Sequence, residues 1–133
     1  MRIVIETIPH RAQRYDTAGD WQVLEDGTWR IRVCELGNWK QEFLVALHEL
    51  VELAICTADG ITEAEVDDFD LNWKAGLSGA TEPGDDLAAP YYLAHQVADL
   101  IERAVALELG VIWREYERAV HALEYADPQL SED

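Results

Sequence analysis

The hydrophobic period of this chain changes near residue 37, and that change constrains what it can fold into. In TWRIRVCEL, the apolar Trp29, Ile31 and Val33 alternate with Arg30 and Arg32, the two-residue period of a strand with one buried face. In WKQEFLVALHELVELAICTAD the period becomes helical, and apolar residues cover most of the helix surface. A strand therefore runs into a long helix that is packed on most of its sides. Asn38, with Gln41 three residues on, marks the start of that helix as a capping-box pattern. The helix is expected to reach about Ala58, with Gly60 just past its end.

The flanking segments complete an α+β pattern. RIVIETI (2–8) reads as a strand stopped by Pro9, and 10–20 as a loop. WQVLE and TWRIRVCEL meet around Asp26–Gly27, a hairpin signal. Thr62 and Glu65 form a second capping-box pattern, and AGLSGATEPGDD (75–86) reads as a loop. A third helix follows Pro90 and runs to Gly110. A fourth spans VIWREYERAVHALEYA and ends at Asp127–Pro128. The expected fold is α+β: an N-terminal strand plus a β-hairpin, forming a small antiparallel sheet, then three to four packed helices. All of it belongs to a single domain, 1–133.

Charge narrows the partners. There are 27 acidic residues against 10 basic ones, a net charge of −17. Such a surface repels phosphate backbones and anionic membranes, so no direct nucleic-acid partner and no membrane partner is expected. Basic protein surfaces and cations are attracted, and the density is highest in 59–86, where nine acidic residues meet one lysine, Lys74. With 49% hydrophobic residues the chain is globular rather than disordered. No export signal is visible at the start and only two cysteines are present, Cys34 and Cys56, so a reducing, cytoplasmic setting is expected.

Within the apolar first helix lies a narrow polar line, His48, Glu49 and Glu52. His48 and Glu52 are at i and i+4, one above the other, and two ligands so spaced can grip one metal ion. Glu49, between them, can then act as general base toward a metal-bound water. The third helix repeats the device with His95 and Asp99, and Glu102 lies near the same line, opposite an apolar side. If the two lines face each other, His48, Glu52, His95 and Asp99 converge as ligands do between bundle helices. If not, both lines face water. Asp68, Asp70 and Asn72 imitate the start of a calcium loop, but Trp73 and Gly79 stand where its glycine and glutamate are needed. His10 falls in a loop beside Arg11, Arg14 and Tyr15, His121 on the exposed side of the last helix, and Cys34 and Cys56 read as buried thiols.

Two resemblances follow from these residues. TWRIRVCEL leading into LVALHELVEL resembles the strand-then-helix centre of zincin metallopeptidases, which implies His48 as ligand and Glu49 as base. Glu52 stands where that family has its second histidine. The chain as a whole resembles small phage and prophage proteins of unassigned function that carry H-E-L-[VI]-E, here His48 to Glu52, followed by Cys56 and by Ala89, Pro90, Tyr91 and His95. A phage origin would suit the acidic charge, since phages encode inhibitors that imitate DNA.

The expected function is a metal-binding domain, with metal-dependent hydrolysis as its chemistry. His48, Glu52, His95 and Asp99 are the expected ligands and Glu49 the expected catalytic base. Zinc is the first choice, and manganese or iron would also suit such ligands. One alternative is a non-enzymatic acidic protein, a DNA mimic or phage inhibitor that binds a basic partner. Another is a magnesium-dependent nucleotide pyrophosphohydrolase, which the chain resembles in pairing Glu49 and Glu52 with a second acidic helix bearing Asp99 and Glu102.

Overall fold

The computed structural model describes residues 1–74 and 80–123. Three strands, β1 (Ile3–Ile8), β2 (Gly19–Val23) and β3 (Trp29–Cys34), precede four helices, α1 (Trp39–Asp59), α2 (Glu63–Asn72), α3 (Tyr92–Glu108) and α4 (Trp113–His121). This is the expected α+β order. The final turns expected for the last helix, and the first residues of the 75–86 loop, lie outside the described residues.

β2 and β3 form the antiparallel hairpin that Asp26–Gly27 announced, with Gly27 in a left-handed conformation at φ 85°. β1 does not extend it as a third antiparallel strand. It pairs in parallel with β3, Ile3 opposite Trp29 and Ile8 opposite Cys34, so the sheet order is β1-β3-β2 and the small sheet is mixed rather than antiparallel. The physical reason is the connection. Residues 9–18 carry the chain past the end of β3, where Cys34 N donates to Ala18 O and Glu35 N to Ile8 O. The central strand is the buried one, with Ile31, Val33 and Cys34 all inside.

α1 packs on β2 and β3 on one side and on α3 on the other, which explains an apolar surface most of the way round. Leu44, Leu53 and Cys56 are fully buried in its faces. Asn38 caps its start by accepting from Lys40 N and Gln41 N, and Gly60 at φ 73° ends it. The Thr62–Glu65 capping box at the start of α2 is complete in both directions. Lys40, at the start of α1, donates through Nζ to Leu109 O just past α3, at 2.9 Å. The two helices are therefore antiparallel, and their middles meet.

Candidate metal centre

Where α1 and α3 meet, the two polar lines face each other. His48 Nε2 lies 3.2 Å from Glu52 Oε2 and 3.2 Å from His95 Nδ1, and His95 Nδ1 lies 3.1 Å from Glu52 Oε2. Three donor atoms from two helices thus form a nearly equilateral triangle. With bonds of about 2.1 Å, donors around one ion stand about 3.4 Å apart in a tetrahedral site and about 3.0 Å apart in an octahedral one. The triangle falls between these values, so the donor spacing of these three residues fits one divalent cation. Glu52 and His95 are buried and His48 nearly so.

Each of the three donors is held from behind. His48 Nδ1 meets Glu102 Oε1 at 2.6 Å. His95 Nε2 pairs with Asp85 at 3.4 Å and Glu82 at 3.5 Å. The second oxygen of Glu52 accepts from Trp21 Nε1 at 3.1 Å. Partners of this kind fix ring orientation and leave the facing nitrogen free to ligate. Tyr116, buried on α4, has its phenol pushed up by burial and by the nearby Glu102 carboxylate.

Protons shared between these side chains hold the group together. Burial pulls the His95 imidazole down, but bonds to Glu52 and Glu82 more than offset it and raise it to about 10. His48 is likewise lowered by burial and raised well above its ordinary range by Glu102 and Glu52. Burial would raise Glu52, yet hydrogen bonds from both histidines bring it down to about 2. Glu49 goes the other way: burial, then the neighbouring Glu52 charge, push its carboxyl well up. Among the described residues no hydrogen bond holds that carboxyl, and its Cγ packs on β2. A Cβ at Gly19 would lie 2.8 Å from Glu49 Cγ and 2.6 Å from Val45 Cγ1, so only glycine lets the strand come this close.

Of the expected ligands, His48, Glu52 and His95 come together as one group. Asp99 belongs to a second group with His48 and Glu102, whose donor atoms lie within 4.8 Å, while its Oδ2 accepts from Arg103 at 2.9 Å. Glu102, one turn further along α3, holds His48 in its place. Its signal in the sequence was its position two turns after His95. Glu82 and Asp85 carried no periodic signal, because they flank the short Pro83–Asp85 turn rather than sit on a helix. Trp21 carried none either. Cys34 is a buried thiol as expected, but His10 Nδ1 approaches its sulfur at 2.9 Å and joins Asp16 through Nε2 at 2.9 Å. His121 is exposed.

The cluster opens into a cavity of about 820 Å³. All four histidines of the chain line it, with Trp21, Trp73, Tyr15, Tyr91, Trp113 and Tyr116 among its aromatic walls. Among the described residues, twelve acidic side chains line it as well, against a single arginine, Arg103. On one wall Tyr15 and Tyr91 both donate to Asp70, whose carboxyl burial raises to about 6. At the mouth, Gly84 rests against the His95 ring so closely that a Cβ there would overlap Cγ and Nδ1 of the imidazole. Gly84→Ala should therefore push the turn, and with it Asp85 and Glu82, off His95 Nε2. The expected result is a loss of about 10–100-fold in metal affinity, read by competition with a chromogenic chelator, with unchanged far-UV circular dichroism.

Comparison with known proteins finds no matching family model, no similar curated protein and no similar solved structure. No helix among the described residues is long and apolar enough to cross a membrane.

Proposed function

We propose that this protein binds one divalent cation through His48, Glu52 and His95 and uses it in a hydrolytic reaction, with zinc the first choice and manganese or ferrous iron as competitors. The observation that carries this reading is the closed set of partners around the triangle: every donor that would face the ion is oriented from behind by Glu102, Trp21, Glu82 or Asp85. When bound, such a cation polarises a substrate carbonyl and lowers the pKa of water.

The chain's own residues supply the rest. Glu49 lines the same cavity, and burial beside Glu52 pushes its carboxyl well up, the direction that suits a general base. The aromatic walls favour an apolar or aromatic substrate group. The excess of carboxylates disfavours an anionic one. This counts against a nucleotide substrate. So does the engagement of Glu52 and Glu102 by His48, which occupies the space where a magnesium–phosphate group would need both carboxylates. Much of the acidic charge lines a cavity rather than spreading over a convex surface, which favours the site reading over a DNA mimic.

Reconstitution with zinc, manganese or ferrous iron, followed by elemental analysis, tests the reading. About one metal per chain is expected. Glu49→Gln should keep that metal while losing hydrolysis of a panel of neutral and cationic esters and amides by about 10²-fold or more. Absence of stoichiometric metal under all three conditions would sink the proposal.

A further inference from the structure

α3 is amphipathic in the reverse of the usual sense. Its polar line, His95, Asp99 and Glu102, faces inward to the centre and cavity, while its apolar side faces out. Leu93, Leu100 and Leu107 are 74%, 67% and 78% exposed, Val97 and Ile101 are exposed too, and Ala104 lies between them. An apolar stripe of this kind on a chain of net charge −17 is not an ordinary surface.

The spacing of the stripe says what covers it. Leu93, Val97, Leu100, Ala104 and Leu107 follow one another at intervals of four, three, four and three residues, with leucine at alternate positions. That is the seam of a two-stranded coiled coil, leucine at d and a smaller residue at a, and such a seam is complementary to itself. Of the flanking charges, Glu108 falls at an e position, while Arg103, at a g position, is engaged within its own chain by Asp99 and the Trp113 ring. The stripe supplies more than half of the area needed: with roughly 180 Å² for a fully exposed aliphatic residue, it offers roughly 500 Å² on α3, against the roughly 800 Å² per partner of a stable interface. Trp39 and Phe43 are exposed as well, at the end of α1 that Lys40 ties to the end of α3.

We propose that this face of α3 pairs with α3 of a second copy of the same chain, giving a parallel two-fold dimer with the metal centres on the sides of the helices away from the seam. The chain's charge disfavours an anionic membrane as the occupant, and the same charge on each copy makes the pairing strengthen with added salt.

Sedimentation equilibrium of the full chain tests this independently of metal content. The wild type is expected at twice its 15.1 kDa chain mass at micromolar concentration. Leu100→Glu and Leu107→Lys are each expected at the single-chain mass, with unchanged far-UV circular dichroism, because both side chains are exposed in one protomer. Leu100→Cys is expected to form a disulfide-linked dimer without added reductant, as facing d positions would. A wild type that stays monomeric throughout, including one that instead floats with phosphatidylcholine vesicles, would overturn the proposal. So would a dimer that survives both charged substitutions. Unfolding of both charged variants would show the stripe covered within one chain, which overturns it as well.

Discussion

His48→Ala is expected to abolish stoichiometric metal binding and to destabilise the metal-free chain by about 3–5 kcal/mol. Both effects come from one position. His48 stands between two buried carboxylates, Glu52 on its own helix and Glu102 on α3, and touches His95 as well. Alanine removes one corner of the donor triangle, and it leaves Glu102 without its imidazole partner while Glu52 keeps only His95 and Trp21. Breaking a buried pair by deleting one partner is costly because the remaining charge has nowhere to go. Urea unfolding in the presence of a chelator measures the second effect, and elemental analysis the first. The size of the stability loss should shrink as pH falls toward 2, because protonated Glu52 no longer needs a partner. Glu102→Gln should cost much less, since an amide can still bond the imidazole. Metal retained by His48→Ala, or a stability equal to that of the wild type, would refute this account of the centre.

Metal affinity is expected to climb steeply with pH, by up to about a hundredfold per unit while two protons are displaced. In the metal-free protein His95 keeps its proton to about 10 and His48 well above its ordinary range, and both nitrogens must be bare to ligate. Stability without metal should show the opposite trend on the alkaline side. A histidine raised in the fold stabilises fully below its unfolded pKa of about 6.5, and that contribution fades as pH rises through the folded value. Glu52, lowered to about 2, stabilises fully above its unfolded pKa of about 4.3 and loses that contribution as pH falls toward 2. The metal-free chain should therefore melt highest between about pH 4.5 and 6.5. The metal-bound chain should gain stability above that range. Calorimetric scans with and without zinc across this span would show the two curves diverging upward in pH. Parallel curves would mean that the histidines do not take part.

Local chemistry made the element order legible. Asp26–Gly27, Asn38, Gly60 and the Thr62–Glu65 pair each specify a turn or a helix end by a contact within a few residues, and each is found where the spacing put it. The i, i+4 relation of His48 to Glu52 is of the same kind. What depends on packing register was less legible. The period of RIVIETI is the same whether its strand runs parallel or antiparallel, so the pairing of β1 with β3 had no signature in it. Asp99 and Glu102 lie one turn apart on one stripe, and only the offset between α1 and α3 decides that Glu102 meets His48. Glu82 and Asp85 reach His95 because Gly84 lets a turn lie on an imidazole, a contact between segments far apart in sequence. On α3, a helical period identifies two faces but not which of them turns inward.

The antiparallel packing of α1 on α3 puts a polar, proton-bonded cluster at the middle of the contact, while Lys40 ties one end. Parting of the helices would expose the amides of α3 around His95 and Glu102 to exchange with solvent. Filling the centre would staple the helices at that point, and amide protection along the middle of α3 would then report the rate at which the ion comes and goes.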